Sequence, residues 1–131
     1  MKYLMDVSAF AALGYAGHSE HATADKWLTN QKNQGAEFFV CSISELGFLR
    51  VGVGGKYVPD WQSAVNAMRK VAQSIPAQFL VDDEPTQSLP RTVKTGNDAT
   101  DAHLLGLAKA HGMTLATADR PLTALGAVLI V

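Results

Sequence analysis

The chain has 131 residues and a formal net charge of −1, so it is the size of one domain and large enough to bury a core. Its 47% apolar and 18% charged residues exclude a disordered chain. The nearly balanced charge argues against a protein that holds nucleic acid by a basic surface all round, although it allows local basic contacts beside an acidic pocket.

Two features of the sequence predict the compartment. The one cysteine, Cys41, lies in the apolar run "EFFVCSI", which predicts a buried, unpaired thiol and no disulfide within the chain. The N-terminal "MKYLMDVSAF" is too short and too polar for a signal peptide, and no later run reaches the roughly eighteen apolar residues of a membrane span. We expect a cytoplasmic protein that does not enter membranes.

The first half of the chain predicts alternating strands and helices. A buried strand over 2–6 is followed by a helix over 9–17, for which Ser8 is the predicted N-cap. In chain order, the next predicted elements are a helix over 19–35, a strand over 37–41 and a helix over 42–53.

The second half continues the alternation. A helix over 60–75 with Asp60 as its N-cap precedes a strand over 78–83 and a polar, proline-containing loop over 84–96. The remaining predicted elements are a helix over 97–112, a strand over 113–119, a helical turn over 120–126 and a strand over 127–131. Short apolar strands that alternate with helices predict a parallel sheet covered on both faces.

Four acidic residues fall where the strands of such a sheet end. Asp6 and Asp119 follow strands, whereas Glu45 and Asp101 lie in the first turns of helices. Ligands of open parallel sheets bind beyond the carboxyl ends of the strands. Carboxylates brought together there repel one another unless divalent cations neutralise them, and a set of oxygen ligands suits Mg2+ or Mn2+.

Each acid also has a purely structural interpretation. Asp6 and Asp119 are at positions where aspartate is common in turns, and Asp119 would also cap a helical turn started by Pro121. Ser42 and Glu45 have the spacing of a capping box. Singly, the structural interpretation is favoured; four coincidental caps on one edge are less probable than one site.

The fifth helix separates Asp101 from an ordinary cap. Leu104, Leu105 and Ala108 follow it at helical spacing, so Asp101 lies on the stripe that faces the core and needs a partner there, such as a cation. Both Asp98 and Asp101 suit a helix start through the macrodipole. We interpret Asp98 as the N-cap, with an outer role at a metal site left open.

Four phrases of the sequence, in order, resemble PIN-domain ribonucleases, specifically VapC-type toxins of toxin–antitoxin pairs. They are "YLMDVSAF", "SISELGFLR", "TDAHLLGLAKAHG" and "LATADRPL". "HSEHATADKW" is also similar to many members of this family.

The resemblance implies a single PIN domain over 1–131 with an α/β, Rossmann-like three-layer sandwich. It implies Mg2+- or Mn2+-dependent RNA cleavage, homodimerisation, inhibition by a cognate antitoxin, and DNA binding only through an antitoxin complex. The family's four acidic positions match Asp6, Glu45, Asp101 and Asp119. Ser8 and Thr117 match the small polar residues that bind metal-held water or orient the carboxylates. Such ions would activate water and stabilise the leaving 3′-oxygen, which predicts 5′-phosphate and 3′-hydroxyl products.

Basic residues near these acids are candidates for RNA contacts. Arg50 and Arg120 are predicted to meet RNA phosphates, with a surface ion pair or a solvated charge as the alternative. Arg91 and Lys94 also flank the predicted site and more often would be surface charges.

The remaining histidines and tryptophans are assigned structural roles. His18 and His21 have i, i+3 spacing, but no further ligand nearby completes a zinc site, so we expect exposed residues at a helix start. His103 is predicted to point away from the stripe that carries Asp101. Trp27 and Trp61 are predicted packing or dimer residues.

Two other functions compete with a ribonuclease. A catalytically weak PIN-like module would bind RNA or a partner without cutting, although all four acids are retained. A haloacid-dehalogenase-like phosphatase also begins with an aspartate after the first strand, but it usually has a second acid two residues later, where this chain has Ser8.

Overall fold

The computed structural model describes residues 1–86, 89 and 93–131, and of Asn97 only the backbone. The strands are β1 (Lys2–Met5), β2 (Glu37–Val40), β3 (Gln78–Phe79), β4 (Thr114–Thr117) and β5 (Val128–Leu129). The helices are α1 (Val7–Gly14), α2 (His21–Asn33), α3 (Ser42–Gly54), α4 (Trp61–Ser74) and α5 (Gly96–Ala110), with a 3-10 helix over Arg120–Leu125. The predicted alternation of strands and helices is confirmed.

The five strands form one parallel sheet with the order β3-β2-β1-β4-β5. The central strand β1 pairs with β2 through Tyr3 and Phe38 and with β4 through Leu4 and Leu115. The chain therefore builds outward from β1 in one direction and then, after α5, in the other. Such a reversal between β1 and β4 is where parallel sheets open a crevice at their carboxyl edge.

Alternation along β1 divides the core between the two faces of the sheet. Tyr3 and Met5 pack in a large cluster with side chains of α1, α2, α3 and α4, whereas Leu4 packs in a smaller cluster with α5 and the 3-10 helix. Leu107 and Leu122 are buried in that second cluster, together with Cys41. The predicted three-layer arrangement and the predicted buried thiol are thus both confirmed.

Two predicted helix N-caps are wrong. The N-cap of α1 is Asp6, not Ser8, since the Asp6 carboxylate accepts the Ala9 N–H. Thr95, not Asp98, caps α5 by accepting the N–H of Asp98, so Asp101 lies one turn farther into the helix than predicted.

At α3 the N-cap is Cys41, without a side-chain capping bond, so the predicted capping box of Ser42 and Glu45 does not form. The N-cap prediction for Asp60 of α4 is confirmed, because its carboxylate accepts the Ser63 N–H.

Two histidine–aspartate contacts attach the segment after β3 to α5. His103 Nε2 lies 2.6 Å from Asp82 Oδ2, and His111 Nε2 lies 2.8 Å from Asp83 Oδ1. The hydrogen bond from His111 lowers the pKa of Asp83. His103 is buried and does not line the cavity that Asp101 lines, in agreement with the prediction that it points away from the stripe that carries Asp101.

The predicted loop over 84–96 includes residues 87, 88 and 90–92, which lie outside the described part of the chain, as does the candidate Arg91. Within the described residues, no helix has the length and apolar character needed to cross a membrane.

Candidate active site

A cavity of about 740 Å³ opens at the carboxyl edge of the sheet. Three of the predicted acids line it, and they come from distant parts of the chain: Asp6 after β1, Asp101 on α5 and Asp119 after β4. The volume is within the range of roughly 300–1,000 Å³ that is usual for ligand-binding clefts. The parallel topology therefore brings these three carboxylates to one place, as their positions in the sequence predict.

Asp6 is held by three hydrogen-bond donors. Its Oδ1 accepts the Ser8 hydroxyl at 2.8 Å and the Ala9 N–H at 2.7 Å, and its Oδ2 accepts the Thr117 hydroxyl at 2.5 Å. Ser8 in turn accepts the Ala118 N–H at 2.9 Å. These bonds tie the start of α1 to the end of β4 and fix the direction of the carboxylate.

Burial and hydrogen bonding act on the Asp6 carboxyl in opposite directions. Only 3% of Asp6 is exposed, and desolvation raises its pKa, because the charged form loses its water. The bonds from Thr117, Ala9 and Ser8 lower the pKa, and the nearby charge of Asp119 raises it. The net direction is upward, so the carboxylate is oriented but electrostatically unsatisfied.

Asp101 carries the largest resolved shift among the cavity acids. Partial burial raises its pKa to about 6, with further contributions from the negative charges of Asp6, Asp119 and Asp98. Leu104, one turn later, lines the same cavity. The prediction that Asp101 lies on an inward-facing stripe therefore agrees with its position. A cation in the cavity would relieve this repulsion and favour the charged form.

Asp119 is exposed, and its side chain makes no capping bond to the 3-10 helix that it precedes. The reason is local. Pro121 has no N–H, and the N–H of Leu122 donates to the backbone carbonyl of Asp119 at 3.1 Å. Its own N–H donates to Thr117 Oγ1 at 3.0 Å, which holds the backbone of Asp119 in place. The interpretation of Asp119 as a side-chain cap is thus wrong.

Glu45 is placed differently from the other three acids. It is half-buried on α3, and burial raises its pKa, but it is not among the residues that line the cavity. The neighbouring Ser44 points into the sheet and donates its hydroxyl to the Met5 carbonyl at 2.5 Å. A role for Glu45 in metal binding stays a prediction.

Gly47 brings α3 close to α1 and so forms one wall of the cavity. A Cβ at this position would lie 2.3 Å from a methyl carbon of Val7, which is a steric overlap. One turn later, the exposed Arg50 lines the cavity together with Val51. Arg50 thus lines the same cavity as Ser8, and among the described residues it forms no ion pair.

The other polar candidates lie farther out. Asp98 is exposed in the first turn of α5, where its charge acts on Asp101. Arg120 and Lys94 are exposed and are not among the cavity-lining residues, so a substrate contact by either stays a prediction.

The chemistry of the donor set fits a divalent cation. Three carboxylates line one cavity, and burial together with mutual repulsion raises the pKa of Asp101. A bound cation would offset both effects. Across residues 1–86, 89 and 93–131, no three Asp, Glu, His or Cys side chains are grouped closely enough to enclose a metal. Mg2+ usually retains several waters and binds through one or two carboxylates, so a spaced set of this kind suits it.

The sequence does not predict two of the residues that line the cavity. His18 and Tyr57 both line the cavity, with Tyr57 on the glycine-rich segment after α3. His18 is half-buried and stacks on Tyr57, while His21 Nδ1 contacts the Ala12 carbonyl at 2.9 Å; both therefore differ from the exposed residues that were expected. The aromatic and histidine residues that follow α1 are visible in the sequence, but no regular spacing connects them to Tyr57 and so indicates that they meet in one cavity.

The two tryptophans differ in burial. Trp27 is half-buried and packs edge-on against Tyr3 with ring centroids 5.0 Å apart, as the packing interpretation predicts. Trp61 is 52% exposed at the start of α4, and a dimer contact there stays a prediction.

Comparisons with known proteins agree with this architecture. The family model described as "PIN domain" matches residues 3–127. The chain is 34% identical over 121 residues to "Ribonuclease VapC38" of Mycobacterium tuberculosis, covering 88% of this chain and 84% of that protein. It is 30% identical over 127 residues to "Ribonuclease VapC44" of the same organism, covering 92% and 87%.

A solved structure shares the fold. The protein PAE2754 from Pyrobaculum aerophilum superimposes with a TM-score of 0.66 at 24% sequence identity, covering 99% of this chain and 90% of the other. At that identity the likeness shows the fold alone.

Proposed function

Because the chain belongs to the PIN-domain family and is of the VapC type, we propose that it is a divalent-metal-dependent endoribonuclease acting as the toxin of a toxin–antitoxin pair. The observation that carries this proposal is the single cavity lined by Asp6, Asp101 and Asp119. The names of the relatives VapC38 and VapC44 support the choice of RNA as substrate.

The proposed metal ligands are Asp6, Asp101 and Asp119, directly or through water, with Glu45 as a fourth. When bound, Mg2+ or Mn2+ would activate water and stabilise charge on the leaving 3′-oxygen, giving 5′-phosphate and 3′-hydroxyl products. Ser8 and Thr117 would keep the Asp6 carboxylate in a fixed orientation, as their hydrogen bonds indicate.

Two further roles are proposed for residues of the cavity, one in phosphate binding and one in protonation. Arg50 would bind a phosphate of the RNA, because it is an exposed guanidinium on the wall of the cavity. Asp101, with a pKa of about 6, would hold a proton part of the time near neutral pH in the absence of a cation and lose it when a cation binds.

The partners follow from the family. We propose an RNA substrate, inhibition by a cognate antitoxin protein, a homodimer and DNA binding only through the antitoxin complex. We also propose a cytoplasmic location and a single PIN domain over 1–131, since the family match extends over residues 3–127.

The test is RNA cleavage by purified protein with Mg2+ or Mn2+, comparing Asp101→Asn with the parent. The substitution removes a cavity charge while keeping size, so we expect cleavage to be abolished with the fold intact. Circular dichroism checks the fold. A second readout is thermal unfolding with increasing Mn2+, which should raise the Tm of the parent more than that of the variant.

The matched control is Asp25→Asn, which neutralises an exposed aspartate on α2, outside the cavity. It should cleave like the parent. Full cleavage by Asp101→Asn, with contaminating nuclease excluded, would refute the proposed site. RNA and Mn2+ binding without any cleavage by the parent would favour the catalytically weak module instead.

A further inference from the structure

A row of aromatic rings runs from the core to the wall of the cavity. The row consists of Phe48, Tyr15, Tyr57 and His18, with successive ring centroids 4.2, 5.3 and 5.7 Å apart. The angles between successive ring planes are 15°, 9° and 20°, so the four rings are nearly parallel. The inner two are buried, Tyr57 is 38% exposed, and both Tyr57 and His18 line the cavity.

The inner end of the row is fixed. Tyr15 donates its hydroxyl to the Phe48 carbonyl at 2.6 Å, and burial raises the pKa of Tyr15 to about 12, so this phenol stays neutral. A Cβ at Gly52 would lie 2.0 Å from the Tyr15 hydroxyl oxygen, so only glycine leaves room for this ring. The base of the row is therefore a rigid part of the core.

The backbone after α3 is shaped to support Tyr57. The N–H groups of Tyr57 and Val58 both donate to the Gly52 carbonyl, at 3.0 and 3.2 Å. Lys56, just before, has a φ of 58°, a left-handed conformation that is uncommon for a residue with a side chain. A Cβ at Gly55 would lie 2.9 Å from the Tyr57 ring. The turn therefore leaves little free space around the Tyr57 ring, which packs between Tyr15 and His18.

His18 is also oriented by its surroundings. The N–H of Glu20 donates to His18 Nδ1 at 3.1 Å, so the neutral imidazole carries its proton on Nε2. One face of the ring stacks on Tyr57, and among the described residues no further ring continues the row. His18 is accordingly a positioned planar surface at the end of the row, in the cavity that holds the three aspartates.

The charge of the cavity makes such a surface useful for binding RNA. Of the described residues that line it, Arg50 is the one with a permanent positive charge, against three carboxylates. Apart from those that a bound cation would provide, phosphate contacts in the cavity are therefore limited to Arg50. Single-stranded nucleic acid is commonly bound by stacking its bases on aromatic side chains, which does not depend on charge.

We propose that His18, supported by Tyr57, is a stacking platform for one unpaired nucleobase of the RNA next to the scissile phosphate. The proposal rests on the proposed ribonuclease function and specifies its substrate as unpaired at that position. His18 thereby positions the substrate, while the carboxylates remain the groups at the reacting phosphate.

The experiment measures binding of a fluorescein-labelled single-stranded RNA and of its abasic counterpart, with all proteins carrying Asp101→Asn so that the RNA stays intact. His18→Leu should weaken binding of the base-containing RNA about 5- to 100-fold, the effect of losing one base–aromatic stack. The abasic RNA should bind the protein that retains His18 about as weakly as the base-containing RNA binds His18→Leu. The His18→Leu substitution should not weaken binding of the abasic RNA any further.

Two more variants identify the property that matters. His18→Phe keeps a planar ring without nitrogen atoms and should retain most of the affinity. Phe79→Leu removes an exposed aromatic side chain of β3 outside the cavity and should change nothing. In otherwise unmodified protein, His18→Leu should raise KM with little change in kcat.

Unchanged RNA binding by His18→Leu would overturn the proposal, as would an equal loss of binding for abasic RNA or for His18→Phe. Tyr57→Leu, which removes the support beneath His18, should reproduce part of the loss and provides a second test if His18→Leu misfolds. A protein that binds RNA through His18 without cutting it supports the platform but refutes the ribonuclease. Cleavage with an unchanged KM in His18→Leu refutes the platform alone.

Discussion

Asp6 and Asp119 lie beyond the carboxyl ends of the neighbouring strands β1 and β4, but they differ in burial and in hydrogen bonding. Each follows a parallel strand, each is the N-cap residue of the next helix, and both line the cavity. Asp6 is buried and accepts three hydrogen bonds, whereas Asp119 is exposed and caps nothing with its side chain. The comparison shows that the parallel topology is enough to place a carboxylate at the carboxyl edge of the sheet. The first residues of the following helix decide whether that carboxylate also forms hydrogen bonds that stabilise the fold.

The largest effect is expected for Asp6→Ala. It leaves the Ala9 N–H and the Thr117 hydroxyl without their acceptor, so we expect the free energy of unfolding to fall by about 2–3 kcal/mol, and cleavage to be abolished. Urea unfolding and RNA cleavage measure the two effects. Unchanged stability would show that the bonds to Asp6 contribute nothing to the fold.

Asp119→Ala should separate the two properties that Asp6→Ala combines. The side chain is exposed and does not cap the 3-10 helix, so the free energy of unfolding should change by less than about 0.5 kcal/mol. Cleavage should fall about 10- to 100-fold, as expected for a group that acts at a metal through water. A marked loss of stability would contradict the contrast drawn between the two aspartates.

Thr117→Val tests the link between the two regions. Its hydroxyl donates to Asp6 and accepts the Asp119 N–H, so the isosteric change should cost about 1–2 kcal/mol of stability and about tenfold in cleavage. The matched control is Thr114→Val, which alters a half-buried threonine of the same strand away from the cavity. Equal effects of the two substitutions would assign the loss to the strand rather than to the carboxylates.

The smallest effect concerns the pH dependence of stability, measured by urea unfolding with chelator present. The pKa of Asp101 is raised to about 6 in the folded protein, so the folded state binds the proton more tightly than the unfolded state does. The contribution of Asp101 to stability should therefore fall as pH rises from about 4 to about 6 and then level off.

Asp101→Asn removes this loss. Above about pH 6 the variant should be more stable than the parent by about 1 kcal/mol, a value reduced for screening because the side chain is only partly buried. Below about pH 4, where the parent carboxyl is protonated, the two proteins should have equal stability. A difference that is independent of pH would mean that the charge of Asp101 is not the cause.

Much of the fold follows from patterns within single segments. Apolar runs predict the five strands, and helical spacing and caps predict the helices, because both depend on residues close together in the chain. The N-caps of α1 and α5 are predicted wrongly because local capping preference is not the factor that decides them. Ser8 and Asp98 are good local capping residues, but the contact of Asp6 with β4 and the availability of Thr95 decide the actual starts.

The site was only partly predictable for a related reason. The carboxyl ends of parallel strands must meet, so element order alone predicts four acids together, Asp6, Glu45, Asp101 and Asp119. Three of them line the cavity, and Glu45 does not. The direction in which Glu45 projects depends on how α3 packs against α1, and at Gly47 this packing leaves no room for a side chain beside Val7. Likewise, His18 and Tyr57 meet only in three dimensions, and no spacing in the sequence connects them.

The hydrogen bond between Thr117 and Asp6 joins residues 111 positions apart in the chain. The N-terminal part of the cavity therefore lacks its fixed carboxylate until β4 has been synthesised, has left the ribosome and has paired with β1. A nascent chain that contains only α1 to α4 has neither Asp101 nor Asp119. The order of strands thus delays assembly of the cavity until nearly the whole chain has been translated.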